Sequence, residues 1–439
     1  MADYLYVYNG KRIAPSSGKV LGVKEDPYNP LRLPPLTVRA KWAPDYTPTI
    51  GATNTVVDAT ENIWDSTMSS GNWRNKFYSY AGRTSLLEVI GANTSGVTDM
   101  RQCFQNCTKL TSVGPMDLSG CTQYGPISLF YGCSKLASVG KLKTTGIPST
   151  YRMFSGCALL TSISLFDMSS VTNASGMFYN CKALSSVPFF DTGAVTNFGS
   201  SAATSMFSGC TSLATFPAFN VSSATSLAYM FYGCSALTTV PSNWDVSTIQ
   251  NFSSLFFYCY SLVNVPTLNT SSATNMAGMF GACHSLVTAP TLTTTSVTNM
   301  NTMFWGCSAL KNVPLYSTSS VTSMEATFAA CSSLESLPLF DTSHVKRFFN
   351  GTRVAGLCTN CTSLKSIPLL DTSSATNVYS MFNGCTAVES GALALYQQMS
   401  TQTTPPTTYT YCFTNCGSGT TTGAAELAQI PTSWGGTMA

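Results

Sequence analysis

Charge is what this chain has least of. Asp, Glu, Lys and Arg make up 9% of its 439 residues, against roughly 25% in an average soluble protein. Between Ala183 and Leu310 there is no lysine or arginine, and the only acids are Asp191 and Asp245. A basic stripe with interleaved aromatics is therefore missing, which argues against nucleic acid as a partner. The formal net charge of +3 is too small to change that, and seven of the 22 cations lie before residue 42. Histidine is nearly absent, with only His284 and His344. Cys103-x₃-Cys107 and Cys358-x₂-Cys361 each lack the second pair that a zinc site needs. Acids are too sparse for a glycosidase pair on one face. No catalytic residue, metal site or cofactor is expected.

Long apolar runs are also lacking. None approaches the ~18 residues that span a bilayer, and the opening MADYLYVYNG has neither the positive nor the apolar region of a secretory signal. The expectation is a soluble chain that does not leave the cell by the standard export route. Yet 44% of the residues are hydrophobic, so the chain is not a disordered polar tract. Serine, threonine, asparagine and glycine stand where charge is missing.

What is abundant is repetition. Met-Phe-x-x-Cys keeps recurring, for example at 153–157, 177–181, 279–283 and 303–307, with looser copies as well. Cysteines in that phase fall at 107, 133, 157, 181, 210, 234, 259, 283, 307, 331, 361, 385 and 416. A step near 24 residues signals a solenoid, in which one unit cannot bury its apolar face alone. The 17 cysteines are odd in number, mostly one per unit, which argues against a disulfide framework. Read as small buried hydrophobes, they fit reducing synthesis.

Within one unit, Met276, Met279/Phe280 and Cys283 follow i, i+3/i+4, i+7, the apolar stripe of a short helix. Thr274 and Asn275 offer capping oxygens before it. Beyond the cysteine, Ser285-Leu286-x-x-Ala289-Pro290 reads as a very short strand that proline ends. Turns such as Asp191-Thr192-Gly193 and Asp371-Thr372-Ser373 return the chain. Asp167, Asp191, Asp341 and Asp371 share one phase, which points to turn capping and not to calcium. The expected fold is an α/β solenoid, a leucine-rich-repeat-like right-handed stack of about 13 coils, each a short helix and a short strand. Its core ladder runs through Phe154, Cys157, Phe178, Cys181, Phe231, Cys234, Phe280, Cys283, Phe304 and Cys307.

The unit Met-Phe-x-x-Cys-x-x-Leu-x-x-Val-Pro-x-x-Asp-Thr-Ser-x-Val-Thr-Asn-Met resembles the cysteine-containing leucine-rich repeat of BspA-like surface proteins, the repeat also described from mycoplasma lipoproteins. The resemblance covers roughly residues 85–416. It implies adhesion or recognition through a solenoid surface without catalysis. The family occurs in commensal and pathogenic bacteria and in phages of gut bacteria.

Four segments are expected: a hairpin and linker over 1–35, an N-terminal cap over 36–84, the solenoid over 85–390 and a C-terminal cap over 391–439. Asn9-Gly10 at a two-residue turn marks the hairpin, and Tyr4, Tyr6, Tyr8, Asn9, Gly10, Lys11 and Arg12 are candidates for attachment to another virion protein. Two internal steps, from Cys181 to Cys210 and from Cys331 to Cys361, break the spacing of about 24 residues. The second insertion, placed at 344–353, puts His344, Lys346, Arg347, Phe348, Phe349 and Arg353 on an exposed loop, where partners bind. Tyr232, Tyr258 and Trp305 are candidate stacking platforms for a host-surface glycan or protein. The functional expectation is a phage virion protein, of tail-fibre, head-fibre or decoration type, assembled in the host cytoplasm, with a homotrimer as the candidate assembly. The alternative is a bacterial cell-surface adhesin, and a glycan-processing enzyme comes last.

Overall fold

The computed structural model describes residues 6–8, 11–13, 33–77, 80–349 and 355–438. Strands β1 (Tyr6–Tyr8) and β2 (Lys11–Ile13) form an antiparallel hairpin in the register Tyr6↔Ile13, Val7↔Arg12, Tyr8↔Lys11. A six-stranded sheet follows in the order β4-β5-β3-β6-β7-β9. Its strands are β3 (Thr37–Trp42), β4 (Thr53–Asp58), β5 (Ile63–Thr67), β6 (Leu86–Asn93), β7 (Ser112–Val113) and β9 (Ser138–Val139). Pairing is antiparallel as far as β6 and parallel from β6 through β7 to β9. The first two coils therefore grow from the edge of the antiparallel sheet. A short helix, α1 (Tyr80–Ser85), precedes β6, and β8 (Met116–Asp117) pairs in parallel with β10 (Leu142–Lys143).

Among the described residues beyond 143 the coils carry no named strand and are joined by isolated parallel bridges such as Asn251↔Asn275 and Asn275↔Asn299. The expected helix in each coil is also not formed. In the coil ending at Cys283, the N–H groups of Met279, Gly281 and Cys283 donate to carbonyls three residues back, at 3.0–3.2 Å. The intervening Gly278 and Phe280 donate to Asn301 and Met303 of the next coil, at 2.7 and 2.9 Å. Alternate donors thus close tight turns and join neighbouring coils, so the backbone is satisfied without i→i−4 bonds. The cause lies in the dihedrals. The residue five before the cysteine and the one immediately before it take positive φ in coil after coil: Gln102 and Asn106, Arg152 and Gly156, Tyr229 and Gly233, Thr302 and Gly306. A left-handed residue at the third place of a four-residue turn is what a type II turn requires, and it ends helix propagation.

Phenylalanine and cysteine build the core. Rings from Phe77 through Phe104, Phe130, Phe154, Phe178, Phe207, Phe231, Phe256, Phe280 and Phe304 to Phe328 stack one coil upon the next at 4.6–5.9 Å. All 17 cysteines are buried and free. From Cys133 to Cys385 the in-phase thiol donates to a carbonyl of the preceding coil. Cys157 reaches Phe130 at 3.2 Å, Cys283 reaches Phe256 at 3.3 Å and Cys307 reaches Phe280 at 3.1 Å. A small side chain with a weak S–H donor suits that place. Cys358 fills a phenylalanine slot, and its carbonyl accepts from the Cys385 thiol at 3.1 Å.

The last segment contains α2 (Ala392–Thr401) and α3 (Thr421–Leu427). Glu426 of α3 accepts from the Gly391 and Leu393 amides at 3.3 and 3.0 Å, supplying acceptors that the start of α2 lacks. Among the described residues, no helix is long and apolar enough to cross a membrane.

Candidate functional site

Each coil shows two kinds of surface. On one, aspartate or asparagine closes a turn in most coils: Asp167 accepts from the Ser169 amide and hydroxyl at 2.9 and 2.6 Å, and Asp341 accepts from the Ser343 amide and hydroxyl at 3.1 and 2.7 Å. These bonds hold both carboxyls below the usual range, so the aspartates are occupied by the backbone they shape. The cavities beside these turns are shallow, about 210 Å³ near Asn220 and Asp245 and about 420 Å³ near Asp167 and Asp191. Among the described residues, no group of three or more His, Cys, Asp or Glu is placed to hold a metal ion. The thiols offer no nucleophile, because burial pushes Cys157, Cys181 and Cys283 well above their ordinary value of 9.0 and Cys307 up to about 12.

The other surface is the turn face around each cysteine, and there the rings gather. Tyr229 lies 5.6 Å from Tyr232, which meets Tyr258 edge-on at 5.4 Å. Tyr232, Phe257 and Trp305 form a row of near-parallel rings at 5.8 and 6.0 Å, with interplanar angles of 22° and 18°. Phe257 spans the whole intervening coil because that coil has glycine where others carry side chains. A Cβ on Gly281 would sit 2.3 Å from the Phe257 ring, and one on Gly278 would sit 2.9 Å from it. Tyr260, 41% exposed, stacks on His284 at 4.8 Å and 22°. The structure thus joins Tyr232, Tyr258 and Trp305 into one patch across four coils. It adds Tyr229, Phe257, Tyr260 and His284, which are not among the contact candidates of the sequence. The signal was available in the repeat phase: Tyr232, Phe257, Gly281 and Trp305 all lie two residues before an in-phase cysteine.

Hydroxyls near this face are partly committed. Thr172, Thr274, Thr298, Thr322 and Thr376 each donate to a carbonyl of the preceding coil at 3.2–3.3 Å. Their oxygens remain acceptors, and the rings supply most of the distinctive chemistry.

The second insertion lies elsewhere than expected. Val345 and Phe348 are wholly buried. Phe348 takes the inward position that Met276, Met300 and Met324 take in other coils, and its amide donates to Asn377 at 3.0 Å. It belongs to the core and is no surface contact. The additional residues therefore begin at Phe349. In the other long coil they likewise follow a buried Phe198. Phe349 lies tilted at 40° against Tyr379, centroids 4.4 Å apart, and Tyr379 meets Tyr411 edge-on at 5.6 Å, forming a smaller second aromatic group. His344 and Lys346 are exposed. Arg347 covers the buried carboxylate of Glu325 at 3.2 Å, and Asn301 donates to the same carboxylate at 3.1 Å. Arg353 lies outside the described residues, as do Tyr4, Asn9 and Gly10. Tyr6, Tyr8, Lys11 and Arg12 are placed only as members of the β1–β2 hairpin.

A family model described as "Mycoplasma protein of unknown function, DUF285" matches residues 74–187, 126–217, 186–291 and 287–396, most of the chain. The chain belongs to this family. The mycoplasma-type repeat expected from Met-Phe-x-x-Cys is thus the one that the family model finds. Among solved structures, a leucine-rich cell surface protein from Faecalibacterium prausnitzii A2-165 is 22% identical, with a TM-score of 0.39 over 67% of this chain and 83% of that one. A leucine-rich repeat protein from Bacteroides ovatus ATCC 8483 is 24% identical, with a TM-score of 0.38 over 66% and 74%. One from Eubacterium ventriosum ATCC 27560 is 16% identical, with a TM-score of 0.41 over 77% and 84%. No curated protein matches the chain.

Proposed function

We propose that this DUF285 family member is a non-catalytic recognition protein, a surface adhesin, that binds neutral glycans through the aromatic patch of its turn face. One observation carries the reading. The exposed and half-exposed rings Tyr229, Tyr232, Tyr258, Tyr260 and Trp305 converge within a stretch that has no lysine or arginine. Flat rings with hydroxyl and amide groups around them suit sugar faces, since every ring offers apolar area at small entropic cost. The scaffold is read as a right-handed stack of about 13 coils capped at both ends. Binding of the purified chain to neutral polysaccharides, measured by glycan array and calorimetry, tests the reading. Trp305→Ala and Tyr260→Ala are expected to lower affinity at least tenfold each; no binding on any array, or full binding by both variants, refutes it.

A second reading places the chain on a phage virion, attached through the β1–β2 hairpin. Its support is the set of 17 buried free thiols, which suits assembly in a reducing cytoplasm. Proteomics of purified particles and of the bacterial surface, run side by side, distinguishes the two.

A further inference from the structure

In the last coils a different column of the surface changes character. Four residues after each in-phase cysteine the chain carries Ser185, Ala214, Thr238, Val263 and Val287, and then Lys311, Glu335, Lys365 and Glu389. These four are consecutive rungs of one ladder. The Glu335 amide donates to Lys311 at 3.4 Å, Lys365 to Glu335 at 3.1 Å and Glu389 to Lys365 at 2.8 Å. All four side chains are exposed. Lys365 Nζ already pairs with Glu335 Oε2 of the same chain at 3.0 Å, an exposed pair that contributes little by itself and is free to exchange with a partner copy. Four residues further along the same coils run Leu315, Leu339 and Leu369, which are 68%, 62% and 56% exposed. In the three preceding coils that place holds Ser242, Thr267 and Thr291, while further back Leu165 and Phe189 stand in it, 63% and 58% exposed, without a charged row alongside. A strict +−+− row beside a row of bare leucines thus occupies one face of a chain that is otherwise poor in charge.

We propose that this face is a homodimer interface, pairing with the same face of a second copy in antiparallel register. The two-fold axis lies along the strand direction, between the Glu335 and Lys365 rungs. Rotation about it sets Lys311 opposite the partner's Glu389 and Glu335 opposite the partner's Lys365, with each pair repeated by symmetry. The same rotation sets Leu339 against the partner's Leu369. An isologous contact demands this self-complementarity, in which residue i meets j and j meets i. A parallel arrangement would instead oppose like charges, which is unfavourable. Four rungs at about 4.8 Å cover only ~20 Å of the stack, so the interface falls below the ~1,600 Å² of a standard stable complex. Association is therefore weak and appears at tens to hundreds of micromolar.

Sedimentation of the full chain over that range decides it, with the weight-average mass rising from 46.7 kDa towards twice that value. Glu335→Lys puts lysine opposite lysine and Lys365→Glu puts glutamate opposite glutamate, so each variant alone should stay monomeric. An equimolar mixture of the two restores every opposite pair and should dimerise, as should the Glu335→Lys/Lys365→Glu double variant. All substitutions are on exposed side chains, and far-UV circular dichroism checks that the fold is kept. A mass fixed at 46.7 kDa, growth to a trimer, single variants that dimerise like the parent, or a mixture that stays monomeric would each overturn the proposal.

Discussion

Thr294 and Thr318 occupy equivalent places in consecutive coils, with 2% and 1% of their surface exposed. The Thr294 hydroxyl donates to the Ser317 carbonyl at 2.8 Å, whereas the Thr318 hydroxyl finds no hydrogen-bond partner among the described residues. Valine has almost the same shape as threonine, so replacing either isolates the hydroxyl. Thr294→Val removes a donor from a formed bond and should cost about 1 kcal/mol. Thr318→Val removes a buried group that is unsatisfied, worth about 1–2 kcal/mol in the opposite direction. The entropy of unfolding is about 2.1 cal/mol/K per residue, so for 439 residues unfolding as one unit 1 kcal/mol corresponds to about 1 °C. Scanning calorimetry should therefore show Thr294→Val melting about 1 °C lower and Thr318→Val about 1–2 °C higher. Smaller cooperative units, which solenoids permit, enlarge both shifts without changing either sign. A loss of stability in both variants, of comparable size, would refute the assignment of a bonded hydroxyl at Thr294 and an unsatisfied one at Thr318.

Alkaline pH should unfold the chain steeply. Thiols that burial raises above 9.0, to about 11 at Cys121 and about 12 at Cys307, keep their protons in the folded state while unfolded thiols lose theirs. Stability is then full below pH 9 and falls above it, by about 1.4 kcal/mol per pH unit for each thiol; denaturation curves at pH 8 and 10.5 check this, and identical midpoints would contradict it. Gly281→Ala should displace the Phe257 ring from its 2.3 Å clash, break the Tyr232–Phe257–Trp305 row and abolish glycan binding. Near-UV circular dichroism should change while far-UV spectra stay the same; unchanged binding would detach the platform from function.

Much of this architecture could be read in the sequence because burial follows the repeat. Phe154, Cys157, Leu160 and their counterparts return in phase, and all are buried. The odd, single cysteines pointed to free thiols, and the recurring Asp-Thr/Gly-Ser turns pointed to capping carboxylates. The helix was misread for a physical reason. Apolar spacing of i, i+3/i+4, i+7 is shared by a helix and by a run of turns with a left-handed residue every fourth place. Glycine would have marked those places, but Gln102, Arg152, Tyr229 and Tyr258 hold several of them. Phe348 was misplaced because the extra residues were counted from the turn before it, when the column of buried Met276, Met300 and Met324 had a slot for it. The aromatic patch needed three dimensions, since it depends on one ring lying across the glycines of its neighbour.

The claim on which the rest stands is that the cysteine beat is a ladder of reduced, buried thiols holding coil to coil. Reaction with DTNB, without added reductant, measures it directly. Virtually none of the 17 thiols should react in the native chain, and all 17 should react once guanidinium unfolds it. Rapid native labelling, or a shortfall after unfolding that reductant restores, would mean exposed or oxidised cysteines and would contradict the account.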